Sequence, residues 1–199
     1  LGGRLVRLLF VALFLFSFSN AFSEPCRLNL VSPKKSLLQI PVMAGLRVVG
    51  NDLIVQFDVH TPTVNAKEEL GPNEYPYMFD AVEVFVTASE TNFPYYEFEL
   101  SPYNQQFQVE ILDLKKPFKE NADLGMKSSV TKTEEGWQGE IHIPLPAGTD
   151  ITKLRGNLYA ILGEKPNRSY WSAFLPPQLK PNFHQPQFFQ SFQKCEVQP

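Results

Sequence analysis

Between Phe79 and Phe107, in the stretch FDAVEVFVTASETNFPYYEFELSPYNQQF, acids and aromatic rings return at every second position. Val82, Val84 and Val86 alternate with Glu83, Phe85 and Thr87, and Tyr96, Phe98 and Leu100 alternate with Tyr95, Glu97 and Glu99. A face that mixes carboxylates with rings is either a solvated sheet face whose aromatics fall there by chance or a surface that holds a sugar. Rings stack on the flat C–H faces of a pyranose, and carboxylates accept hydrogen bonds from its hydroxyl pairs. Other chemistries lack their parts. There is no Gly-x-Ser-x-Gly elbow and no glycine-rich phosphate loop, and His60, His142 and His184 are scattered without metal-ligand spacing. Carboxylates alternating along strands do not by themselves make a glycosidase pair, so catalysis is not expected. Asp58, Asp80 and Glu83 offer hard oxygens of the kind calcium takes, but without a spaced acidic loop, and Asp80 reads as a loop cap.

Strands must carry these residues. Period-two alternation of β-branched and aromatic residues on either side of a Ser/Glu/Thr/Asn/Pro turn predicts an antiparallel pair over 82–87 and 95–100. Leu53, Val55, Phe57 and Val59 predict a strand launched by the Asn51-Asp52 turn. Phe107, Val109 and Ile111 predict another, Trp137–Ile143 one stopped by Pro144 and Pro146, and Asn157–Leu162 another. Residues 24–50 show little periodicity beyond a short edge strand at Leu37–Ile40, and 113–129 read as a polar surface connection. The loop from Thr61 to Met78 carries Pro62, Gly71, Pro72 and Pro76, which forbid a regular element, and ends in Tyr75-Pro76-Tyr77 beside the central pair. The Pro- and Phe-rich tail after Pro176 is expected to wrap the body. With no sustained helical period, no repeat and no linker, the fold class is an all-β antiparallel β-sandwich, jelly-roll or immunoglobulin-like. One or two short helices are expected at most, near Thr149–Leu154. If Val55, Val82, Phe98 and Ile141 fill the core, the opposite faces present Gln56, Asp58, Glu83, Phe85, Tyr95, Glu97, Glu99, Glu140, His142, Asn157 and Tyr159.

The 199 residues suffice for one domain with a real core, and 43 % apolar against 20 % charged residues is a globular composition. Arg4 and Arg7, the apolar run Leu8–Phe16 and the small residues up to Ser23 read as a secretory signal over 1–23, with cleavage fitting equally after Ala21 or Ser23. The run is shorter than the about 20 apolar residues a bilayer span needs. Taking Arg4 and Arg7 from the 18 basic residues leaves 16 against 21 acidic ones, a net of −5. That balance argues against nucleic acid and against an anionic membrane surface. Residues 24–199 are expected to form a single secreted or periplasmic domain that does not stay in the membrane after cleavage.

In an oxidising compartment Cys26 and Cys195 invite a disulfide joining the two ends; free thiols are the alternative. Pro25 argues against a lipidated Cys26, because a lipoprotein cysteine follows a small residue.

The ordered set Asp80-Ala81-Val82-Glu83-Val84-Phe85, Tyr95-Tyr96-Glu97-Phe98-Glu99, Gly136-Trp137 with Glu140 and Ile143-Pro144, Trp171-Ser172, and Phe183-His184-Gln185-Pro186 with Phe188 resembles the family-nine carbohydrate-binding modules and their relatives. The resemblance implies a β-sandwich that binds sugar ends without cleaving them, often beside a polysaccharide-processing enzyme such as a xylanase. In that family two tryptophans sandwich the sugar; Tyr77 and Phe183 stand at their places. The family's sugar-contacting glutamate falls on Glu83, its arginine on Glu97, its asparagine on Glu99, and its glutamine on Tyr159, two past Asn157. Trp171 matches a structural tryptophan. Glu97 reverses the charge of the arginine, so the family's ligand does not carry over unchanged. The expected site is Tyr77, Glu83, Glu97, Glu99, Asn157, Tyr159 and Phe183, holding a polysaccharide or oligosaccharide end with no cofactor beyond the calcium considered above. Two rivals remain. One is an envelope interaction domain that kept the fold and lost the sugar. The other, from relatives that bind haem through Met or Lys, is a haem domain using Met43, Met78 or Met126.

Closing so long a loop by a Cys26–Cys195 disulfide stabilises the chain by about 5 kcal/mol in the chain-entropy view. The expected outcome is an intact mass that rises by two hydrogens on reduction; an unchanged mass removes the bridge.

Overall fold

The structure, a computed structural model, describes residues 26–32, 41–176 and 182–194. The expected signal over 1–23, the edge strand at Leu37–Ile40 and Cys195, with its pairing to Cys26, lie outside the described residues.

Two antiparallel sheets face each other. One has the order β1 (Cys26–Asn29), β2 (Val42–Val49), β3 (Asp52–His60), β9 (Gly136–Pro144), β8 (Lys127–Thr133). The other runs β11 (Ser169–Ser172), β10 (Arg155–Leu162), β4 (Ala81–Thr87), β5 (Tyr95–Leu100), β6 (Gln106–Ile111), β7 (Lys119–Glu120). The short β12 (Gln190–Ser191) extends the β10 edge beyond β11. The helical elements among the described residues are single 3-10 turns, one of them at Ile151–Lys153, where the Asp150 carboxylate accepts from the Thr152 N–H.

The alternation read from the sequence holds strand by strand. Val55, Phe57, Val59, Trp137, Ile141 and Ile143 meet Val82, Val84, Val86, Phe98, Leu100 and Leu158 between the sheets, all buried. Each such side chain contributes roughly 1.5–3 kcal/mol of transfer free energy. β1, β2, β7, β8, β11 and β12 escaped the pattern, four of them being only two to four residues long. In β2, Val42, Ala44 and Leu46 point inward, but Gly45 and the small Ala44 blur the alternation, and Val48 and Val49 are exposed. In β8, KSSVTKT is polar on both faces because it is an exposed edge.

The second sheet is unusual in being covered on both sides. Every residue of β4 is buried, and in β10 only Arg155 is partly exposed. Behind the sheet lies a second apolar cluster of Phe85, Tyr95, Phe107, Val109, Ile111, Tyr159, Leu175 and Phe189, flanked by Tyr75, Tyr77, Phe118 and Phe183. The tail does wrap the sandwich: Phe183, Phe188 and Phe189 cover this outer face, and Phe192 joins the cluster between the sheets. Its approach is close at Gly156. A Cβ there would lie 1.8 Å from the Phe85 carbonyl oxygen and 2.8 Å from the Phe192 ring.

Gly156→Ala is therefore expected to lose about 1–3 kcal/mol or more through forced backbone displacement. Phe98→Ala should lose about 3–5 kcal/mol through a cavity between the sheets. Urea denaturation checks both.

Candidate functional site

Register places the acids. On the outer face of the second sheet, Tyr159, Glu83, Glu99 and Phe107 form one row across β10, β4, β5 and β6. Asn157, Phe85, Glu97 and Val109 form the next. Side chains at alternate positions share a face, so Glu83, Glu97 and Glu99 become one cluster on a floor of rings and aliphatics.

Two aromatic segments lie on this floor. The turn Pro76–Met78 brings Tyr77 over β5, and the Tyr77 N–H donates to Glu99 Oε2 at 3.0 Å. Tyr75 stacks on Tyr77 with centroids 5.3 Å apart, and both rings lean on Phe107. Arg168 fastens the turn from outside by donating to the carbonyls of Tyr77 and Met78. Across the floor, Phe183 stacks on Tyr159 at 4.1 Å, and the Tyr159 hydroxyl donates to the Phe183 carbonyl at 3.0 Å. His184 follows, with Nδ1 2.8 Å from the Tyr95 hydroxyl and its ring 4.7 Å from that of Phe118. Between the two segments is a cleft of about 410 Å³. Tyr77, Phe183, His184 and Tyr170 line it, with the three acids at its floor.

Of the seven residues expected from the sequence, Tyr77, Glu83, Glu97, Glu99 and Phe183 line this cleft. Tyr159 lies beneath Phe183 rather than on the cleft wall. Asn157 is buried beside the strand crossing, where its carboxamide oxygen accepts from the N–H groups of Leu158 and Phe174 and from the Ser172 hydroxyl. His184, Phe118, Tyr170, Glu120 and Arg168 were missed, although His184 stood in the quoted tail motif. Gln56, Glu140 and His142, grouped with the acids from alternation alone, belong to the outer face of the other sheet. A hollow of about 390 Å³ there includes Glu140, which is already engaged by Arg47, Gln56 and His142.

The oxygens considered for calcium do not converge. Asp58 lies on the five-stranded sheet, and Asp80 accepts from the N–H groups of Asn65 and Gly163 through its two oxygens, as a loop cap does. The methionines considered for haem are dispersed: Met43 and Met78 are exposed, and Met126 is packed in the core.

Electrostatics set the acids apart. Burial pushes the Glu83 carboxyl well above the usual range, and the neighbouring Glu97 adds to it. Burial likewise raises Glu99 well above that range, helped by Glu83 and Glu97. Glu97 is raised to about 7 by burial, and Glu120 adds to the shift while a hydrogen bond from Glu99 opposes it. His184 is pushed down to about 4 by burial, so its ring is neutral at physiological pH.

No family model matches the chain, and no curated protein matches it. Solved structures do. A protein of Bacteroides uniformis ATCC 8492, provisionally described as carbohydrate-binding, superposes with a TM-score of 0.68 at 21 % identity, over 83 % of this chain and 84 % of that one. A family 9 carbohydrate-binding module of Caldicellulosiruptor kristjanssonii in complex with glucose gives 0.59 at 14 % identity, over 82 % of each chain. Such a module from the same organism in complex with cellotriose gives 0.56 at 15 % identity, over 74 % of this chain and 72 % of that one. The fold is that of the family-nine carbohydrate-binding modules.

The sign of the pH dependence follows from the raised acids. Their contribution to stability is fully present below the ordinary value of 4.5 and is lost as pH rises through the folded value, about 7 for Glu97. The melting temperature is expected to fall between about pH 4.5 and 8, and Glu97→Gln should flatten the decline, gaining on the order of 2 kcal/mol at the alkaline end. A flat wild-type profile would refute the assignment.

Proposed function

We propose that the cleft is a saccharide-binding site that holds a glycan end between Tyr77 and Phe183 without cleaving it. One observation carries the reading: two ring-bearing segments flank a row of carboxyls on an outer sheet face, leaving a hollow of about 410 Å³. Rings at the walls suit the apolar faces of a pyranose, and acceptors at the floor suit its hydroxyls. Neighbouring folds solved with glucose and with cellotriose support a saccharide as the ligand class. Binding rather than hydrolysis is favoured by the three acids themselves. All are pushed upward by the same burial, whereas glycosidase chemistry needs a pair driven apart, one acid and one ionised base or nucleophile.

The reading includes export. The leader-like segment 1–23 and the pair Cys26 and Cys195 support a secreted or periplasmic protein, acting on polysaccharide alone or beside a processing enzyme.

Affinity electrophoresis and calorimetry on a broad glycan panel test the proposal. Binding of at least one saccharide is expected. Tyr77→Ala and Phe183→Ala, each verified as folded by thermal melting, should weaken it by roughly tenfold, about 1.4 kcal/mol. Absence of binding across the panel overturns the function. Binding that survives both substitutions overturns the site.

A further inference from the structure

We propose that the ligand is an amino sugar: a saccharide end whose free ammonium is received by Glu83, Glu97 and Glu99. The inference rests on the saccharide reading and narrows its chemistry.

The three carboxyls are at most 6 % exposed, yet among the described residues no lysine or arginine pairs with any of them. The basic group at hand is His184, whose Nε2 stands 3.9 Å from Glu97 Oε2. It brings no charge, since burial holds the imidazole neutral, and its Nδ1 is engaged by Tyr95. Arg168, just outside, is engaged with backbone carbonyls.

A second observation points to a missing donor. Glu99 is fully buried, its Oε2 is taken by the Tyr77 N–H, and its Oε1 has no partner beyond the neighbouring Glu97 carboxyl, which can answer it only while one of the two acids holds a proton. Buried polar oxygens are rarely left so, and this one belongs to a side chain lining the cleft. The missing partner is a donor that enters from the cleft.

An ammonium fits better than a hydroxyl. It brings three donors, no acceptor and a charge, whereas each sugar hydroxyl also needs a donor from the protein. The floor offers acids, rings and aliphatics; the amide and imidazole of the lining, Asn182 and His184, belong to the Phe183 segment, with Asn182 Oδ1 taken by the His184 N–H and His184 Nδ1 by Tyr95. A positive charge within reach draws buried carboxyls into their ionised form, so the ligand itself creates the ion pairs. A bare divalent cation fits less well. It seeks six to eight oxygens, while the walls here are Tyr77 and Phe183, and no group of acids or histidines among the described residues has the arrangement of a metal site. Those walls ask for a ligand with an apolar face beside its charge, which an aminopyranose has.

Calorimetry on the full chain at neutral pH decides the matter, using a glucosamine trimer, its N-acetylated counterpart, cellotriose and putrescine. The glucosamine trimer is expected to bind at least about tenfold tighter than the acetylated trimer or cellotriose. Glu83→Gln and Glu99→Gln, near-isosteric and checked by thermal melting, should each remove most of that preference. Equal affinity for the three saccharides overturns the ammonium and leaves the saccharide reading standing. Putrescine binding as tightly as the trimer overturns the inference, because the cleft would then read charge alone. If no saccharide binds, the broader reading falls with it.

Discussion

A sheet buried on both faces is the constraint from which the rest follows. Strand β4 packs its valines against the opposing sheet and turns Glu83 and Phe85 to the other side, where most sandwiches meet water. Here that side is roofed by the turn at Pro76–Met78 and by the segment from Asn182 to Phe189. The roof is built of rings: Tyr75, Tyr77, Phe183, Phe188 and Phe189 close over Phe85, Tyr95, Phe107 and Tyr159. What the two roof segments leave open between them is the cleft.

Burial then changes what the acids are. On an open sheet face Glu83, Glu97 and Glu99 would be ordinary solvated carboxylates. Beneath the aromatic roof they lose water without gaining a cation among the described residues, and burial shifts them toward the protonated state. The same roof holds His184 neutral, so among the described residues no fixed positive charge lines the cleft to answer the acids. Retaining such a cluster costs stability, and functional sites are where costs of this kind concentrate.

Fold and floor depend on each other through a few polar ties. Glu99 anchors the Tyr77 turn by its backbone N–H, and Tyr159 anchors Phe183 through a carbonyl. Arg168 and Asp80 hold the ends of the long 61–78 excursion to the sheet and to the loop after β10. The residues beneath the rings thus also set where the rings stand. Asn157 serves the same frame rather than the cleft, because its carboxamide oxygen gathers the N–H groups of Leu158 and Phe174 and the Ser172 hydroxyl.

Strands with large β-branched or aromatic residues on one parity were legible from sequence, because side chains of a strand alternate and hydrophobic burial enforces that alternation. β3, β4, β5, β6, β9 and β10 all announce themselves in this way. β2 and β8 do not, since small residues and an exposed edge remove the contrast the pattern needs. Parity also found Glu83, Glu97 and Glu99, which need only alternate positions on two neighbouring strands. It could not say which sheet a polar face belongs to, and so it grouped Glu140 and His142 with acids on the far side of the molecule. Nor could it show that the tail, far along the chain, would roof those acids, leave Tyr159 under Phe183 and bring His184 to Glu97. Periodicity is a property of one strand and its neighbours. Contact between residues 83, 97 and 184 is a property of how the whole chain closes.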